Sequence, residues 1–169
     1  MKRRALLGLL VPVSLALGSC GLQPMYAGGS KGPVARTLGD IEVGPIAGQQ
    51  GWLIRNALMD RLGASGHGAP RYRLEVLLDD QITGFGIRSN NTVTRERRTL
   101  RARFKLIDAS SQAVLVDATA QSDAGIDVVT SEYAVIAAEQ TALENISNDV
   151  ADQIVSRVAL YARRHPPSE

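Results

Sequence analysis

From Arg95 to Leu106 the chain sorts its side chains by parity: Arg95, Arg97, Arg101, Arg103 and Lys105 fall on odd positions, while Leu100, Ala102, Phe104 and Leu106 fall on even ones. A helix would scatter such a set around its circumference, whereas an extended strand places one class on each face. The fold must therefore contain a sheet with one dry face and one wet face. That excludes a parallel sheet covered on both sides. Seven basic residues and the single acid Glu96 lie between Arg88 and Lys105, so the wet face concentrates positive charge. Guanidinium groups suit phosphate because their planar donors bind it bidentately, which makes Arg95, Arg97, Arg101, Arg103 and Lys105 candidate ligands for phosphate groups. The competing reading is a solvated face whose cations pair with Glu75, Asp79 or Asp117 on adjacent strands.

The remaining patterns supply the other elements. Ile41 and Val43 alternate with polar residues until Gly44-Pro45 breaks the strand, and Leu53, Ile54, Ala57, Leu58, Arg61 and Leu62 recur at helical spacing before Gly63, where a left-handed cap is expected. Tyr72, Leu74, Val76 and Leu78 share one face of a strand. The apolar residues then shift to the odd positions Phe85 and Ile87, which suggests a bulge between. Ser89 to Thr92 reads as a hairpin turn and Asp108 to Gln112 as another; Val114, Val116, Ala118 and Ala120 mark a further strand. A long helix opens at Thr130 or Ser131 and runs to about Arg164, ended by Pro166-Pro167, with Leu143, Ile146, Val150, Ile154, Val158 and Tyr161 as its apolar stripe. At 1.5 Å per residue it reaches roughly 50 Å, so one end should project or bend. The order β-α-β-β-β-α predicts an α+β fold: a single antiparallel or mixed sheet of about four strands with two helices packed on one face.

The N-terminus has the order of an export signal: Lys2, Arg3 and Arg4, an apolar stretch from Ala5 to Leu17, then Gly18 and Ser19 before Cys20. The apolar run contains Pro12 and falls short of the roughly 20 residues that span a bilayer. Leu17-Gly18-Ser19-Cys20 resembles the lipobox of bacterial lipoproteins. The expected organisation is a signal peptide at 1–19, a lipidated flexible tether at 20–38 starting on acylated Cys20, one α+β domain at 39–165 and a tail at 166–169. Several acyl chains on one cysteine, each methylene worth about 0.8 kcal/mol, give stable membrane attachment. Gly21 in place of Asp after the cysteine favours the outer membrane.

Composition narrows the function. Three of the 19 basic residues precede Cys20, which leaves 16 against 17 acidic ones in the processed chain. Attraction to an anion must then come from local patterning. Cys20 is the sole cysteine and His67 and His165 the sole histidines, so thiol catalysis and Cys/His zinc sites are not expected, nor is any cofactor. Asp79 and Asp80 are adjacent on a strand and point to opposite faces, which rules them out as an acid/base pair. His67 sits in a Gly-rich loop without a nucleophile elbow. The basic strand lacks interleaved aromatics, which argues against nucleic acid.

Cys20-Gly21-Leu22-Gln23-Pro24-Met25-Tyr26, the strand order, and the closing run from Tyr133-Ala134-Val135-Ile136-Ala137-Ala138-Glu139 through Ala151-Asp152-Gln153-Ile154 together resemble the LptE family of outer-membrane lipoproteins in its alphaproteobacterial form. The resemblance implies a non-enzymatic subunit that plugs the LptD β-barrel and assists its assembly, the pair delivering lipopolysaccharide to the outer leaflet. It also implies lipopolysaccharide binding, for which the Arg-rich strand is chemically suited. An auxiliary lipoprotein of a phospholipid or ABC-type envelope transport system is the alternative, and a periplasmic hydrolase a third.

Overall fold

The computed structural model describes residues 29, 32–63, 69–87 and 93–166. Cys20, His67 and the turn at 89–92 lie outside them. The elements are α1 (Pro33–Gly39), β1 (Ile41–Val43), α2 (Gln49–Leu62), β2 (Tyr72–Ile87), β3 (Val93–Asp108), β4 (Val114–Asp127) and α3 (Glu132–Arg164). The strands form one sheet in sequence order, with β1 parallel to β2 and the other two pairings antiparallel. This is the expected α+β architecture with a mixed sheet.

The helix count differs by one. The stretch up to Leu38, expected as tether, contains α1, which starts on Pro33 as a first-turn proline and buries Val34, Thr37 and Leu38. Its seven residues are too few to form a stable helix alone. Packing against the core supplies what local propensity does not.

Parity organises the sheet as anticipated. Leu74 and Val76 on β2, Leu100, Ala102, Phe104 and Leu106 on β3, and Ala120 on β4 are buried on the inner face. There they join Ile54, Ala57, Leu58 and Leu62 of α2 and Leu143, Ile146, Val150, Ile154 and Val158 of α3 in one apolar cluster. Gly63 does cap α2 in the left-handed conformation (φ 63°, ψ 33°). At the other end of α2, Gly51 is required because a Cβ there would lie 2.5 Å from the Ile46 carbonyl oxygen. Ser131 stands at the α3 N-terminus without a side-chain cap; its carbonyl accepts instead from the amides of Ala134 and Val135. The first ten residues of α3, through Thr141, bury nothing fully, so this is the end that projects.

The bulge expected within β2 is absent. Its register with β3 runs unbroken from Tyr72 opposite Asp108 to Phe85 opposite Arg95, and the irregularity falls instead at Leu106/Ile107 against β4. Apolar parity changes along β2 because its inner positions beyond Leu78 are Asp80, Ile82 and Gly84, only one of them a large apolar side chain, while Phe85 stands on the outer face with the cations.

The two edges of the sheet are finished differently. Along β4, the Gln153 side chain of α3 donates to the Gln121 carbonyl (2.9 Å) and accepts from the Gln121 amide (3.3 Å), and Arg157 donates to the Thr119 carbonyl. Among the described residues the other edge is covered only where β1 pairs with Tyr72 to Leu74 and the Gly44 amide reaches the Leu74 carbonyl (3.0 Å).

Candidate functional site

The outer face is built around β3, whose odd positions stand between the odd positions of β2 and β4. It carries the five cations named from the sequence. Three are already paired across the sheet. Arg95 meets Asp127 at 2.8 Å, Arg97 meets Asp123 at 3.6 Å, and Arg103 binds both oxygens of Asp117 at 3.0 and 2.9 Å. The Arg103 hydrogen bonds pull the Asp117 carboxyl below its ordinary pKa, and Asp117 in turn holds the Arg103 guanidinium higher. Arg97 also lies 5.5 Å from the centre of the Phe85 ring, a cation–π distance.

Arg101 and Lys105 differ from these three. Arg101 stands opposite Asp79 and Gln121, and Lys105 opposite Glu75 and Asp117. Neither closes an ion pair among the described residues, since Asp79 accepts from Gln81 (3.2 Å) and Glu75 from Arg73 (3.1 Å). Arg95, Arg97 and Arg103 therefore belong to a lattice of exposed ion pairs, each of which contributes little. Arg101, exposed, and Lys105, partly exposed, stand outside that lattice.

Sequence reasoning missed the charged cluster on the opposite face. Arg98 and Asp80 form a two-pronged pair of 3.0 and 2.6 Å, and Arg98 donates a third bond to the Glu139 carbonyl of α3 at 3.1 Å. Their side chains are only 13% and 12% exposed. The bond to Asp80 raises the Arg98 pKa against the opposing effect of burial. The available signal was parity: Arg98 occupies an even position in the register of Leu100 to Leu106, as Asp80 does in that of Leu74 to Leu78, and the two meet diagonally, Arg98 standing opposite Ile82 and Asp80 opposite Leu100.

A concavity of about 290 Å³ opens between α2 and α3 and is lined by Trp52, Asn56, Asp60, Arg61, Glu144 and Ser147, among others. Trp52 is largely exposed, and the buried Ser147 hydroxyl has no hydrogen-bond partner among the described residues. Arg61 is held at its floor by Asp152 (2.5 Å) and Asn148 (3.3 Å). Among the described residues no group of His, Cys, Asp and Glu could hold a metal ion, and no helix is long and apolar enough to cross a membrane.

Comparison with known proteins agrees with this architecture. A lipoprotein structure from Caulobacter crescentus CB15 superposes with a TM-score of 0.67 at 25% identity, covering 81% of this chain and 100% of that one. Two others share the fold: rare lipoprotein B of Shewanella oneidensis (TM-score 0.57, 11% identity, 73% and 96% covered) and a minor lipoprotein of Acinetobacter baumannii (0.58, 16%, 76% and 95%). The search of curated proteins found no match. The lipopolysaccharide-assembly model LptE matches residues 38–158, from the end of α1 to the last turns of α3, so the chain belongs to the LptE lipopolysaccharide-assembly family.

Proposed function

We propose that this protein is a non-enzymatic outer-membrane lipoprotein, anchored through Cys20 after removal of residues 1–19, that plugs the LptD β-barrel and assists its assembly. The family match over 38–158 carries this reading. The N-terminal sequence, ending in Leu17-Gly18-Ser19-Cys20, supports the anchor. In this role the domain works by shape and charge rather than by bond-making. The helices fill one side of the sheet, and the wet face presents cations spaced about 7 Å apart along β3, a separation that lets neighbouring side chains engage the separated phosphates of one lipid A head group. Arg101 and Lys105 provide the first contact, and Arg95, Arg97 and Arg103 follow by exchanging carboxylate partners for phosphate.

The test is affinity capture of the full-length chain from detergent-solubilised envelopes, combined with clean depletion in cells. Recovery of the LptD barrel, and loss of surface lipopolysaccharide with barrel misassembly on depletion, are the expected results. Recovery of an inner-membrane transporter instead, with surface lipopolysaccharide intact, would replace this reading with that of a phospholipid or ABC-type transport auxiliary.

A further inference from the structure

The bonding of Gln121 fixes where every backbone group of the sheet points. Because its amide and carbonyl both turn outward to Gln153, its partner Arg101 must direct its own groups to β2, so Arg101 and Asp79 are a hydrogen-bonded pair. Odd residues of β2 therefore bond inward. Even residues bond outward, as the bond from Gly44 to the Leu74 carbonyl confirms. Beyond Leu74 no described residue continues the lane occupied by β1, since Pro45 follows Gly44 and the chain proceeds into α2. The outward groups of Val76, Leu78, Asp80, Ile82 and Gly84 meet no partner among the described residues.

An unpaired edge of this length is a template for another strand, and folds usually blunt it with lysine, proline, a bulge or a cover. The β4 edge has such a cover in Gln153 and Arg157. Among the described residues the β2 edge has no cover, and from Leu74 to Ile87 it has no lysine, proline or break in register; its one charge on the inner face, Asp80, is neutralised by Arg98 of β3 instead of being left to repel a neighbouring strand. Leu77 on the outer face is 73% exposed and Ile82 on the inner face 45%, so apolar surface flanks the edge on both sides. The only charges on this stretch are Glu75, Asp79 and Asp80.

We propose that the β2 edge from Val76 to Gly84 is a docking site for an extended strand of a partner polypeptide, which adds to the sheet in the lane beyond β1. The partner strand carries basic side chains on its outer-face positions, to meet Glu75 and Asp79, and apolar ones on its inner-face positions, to cover Leu78 and Ile82. A second copy of this chain fits poorly, because antiparallel pairing of two β2 edges sets acid against acid with no cation on either.

The site is tested with the full-length chain in detergent micelles by amide hydrogen exchange and peptide binding. In the free protein the amides of Leu78, Asp80 and Ile82 should exchange fast while those of Leu77, Asp79 and Gln81 are slow. A short peptide alternating Val and Lys should bind and protect the fast set, and its Val/Glu counterpart should bind on the order of tenfold more weakly. Ile82→Pro removes an outward N–H without touching the ladder and should abolish binding; Asp79→Lys, which keeps every backbone group but sets one cation beside Glu75, should largely cancel the preference between the two peptides. Undiminished Val/Lys binding by folded Ile82→Pro would overturn the proposal, as would equal binding of the two peptides by the wild type. Concentration-dependent protection of the fast set in the free protein would assign the edge to self-pairing and overturn it too.

Discussion

Arg98 and Asp80, on adjacent strands and both nearly buried, share two hydrogen bonds while Arg98 grips the Glu139 carbonyl of α3. This cluster ties the β2–β3 hairpin to the first turns of the long helix, which bury no residue fully. Truncating Asp80 to Ala leaves a guanidinium without its charge partner and should lower unfolding stability by about 1–3 kcal/mol. The double change Asp80→Leu, Arg98→Met should recover part of that loss, since a buried pair replaced as a unit no longer strands one charge. Urea denaturation of the three variants measures it; a double variant no more stable than the single one would contradict the account.

In the core, Ile146 and Val150 are buried against the inner face of the sheet. Ile146→Ala should cost about 2–5 kcal/mol. Asn148, exposed two residues away and bonded to Arg61 and the Glu144 carbonyl, should tolerate Ala with a much smaller effect. Equal losses in a denaturant series would show that the stripe is misplaced.

The Asp108 carboxylate accepts from the amides and hydroxyls of Ser110 and Ser111, which close the β3–β4 turn. These bonds lower its pKa from 3.8 to about 2. Since the folded-state value is the depressed one, its contribution to stability is present above about pH 4 and disappears as the pH falls toward 2. Wild-type thermal stability should drop across that window. Asp108→Asn should start lower and show a smaller drop; parallel pH profiles for the two proteins would refute the assignment.

Arg101→Glu combined with Arg103→Glu should weaken lipopolysaccharide binding strongly while changing the thermal transition little, because neither side chain contributes to the core. Added salt should weaken wild-type binding in the same direction. Binding of the full-length chain in detergent, measured for both proteins, decides it. Equal affinities would return the strand to a lattice of surface ion pairs.

Cys20→Ala should abolish fatty-acid incorporation at this site, because the thiol is the group that takes the lipid. Metabolic labelling reads the result directly, and persistent label in the variant would remove the anchor from the proposal.

The sequence made legible whatever repeats at short range. The alternation of Arg101, Arg103 and Lys105 with Leu100, Ala102 and Phe104 predicted a one-sided sheet, and the spacing of Leu143, Ile146, Val150 and Ile154 predicted the helix that covers it. What it hid depends on distant partners. α1 lies in a Gly- and Pro-rich stretch whose local propensity says nothing of the packing that holds Val34 and Leu38. The apparent bulge in β2 was a change in what the inner face contacts, from apolar helix residues to Arg98. The paired state of Arg95, Arg97 and Arg103 depends on Asp127, Asp123 and Asp117, of which only Asp117 was singled out beforehand. The cover on the β4 edge needs Gln153 brought beside Gln121, 32 residues earlier in the chain.

The short helix α1 has a mechanical consequence. In a chain held from its N-terminal side, tension reaches α1 before it reaches the sheet. Seven helical residues span about 10 Å and, drawn out, about 24 Å, so unravelling them releases roughly 14 Å of slack while detaching Val34, Thr37 and Leu38 from the core. A pull on the leash is then absorbed before it loads the β1–β2 pairing, and the domain keeps its shape while it shifts position.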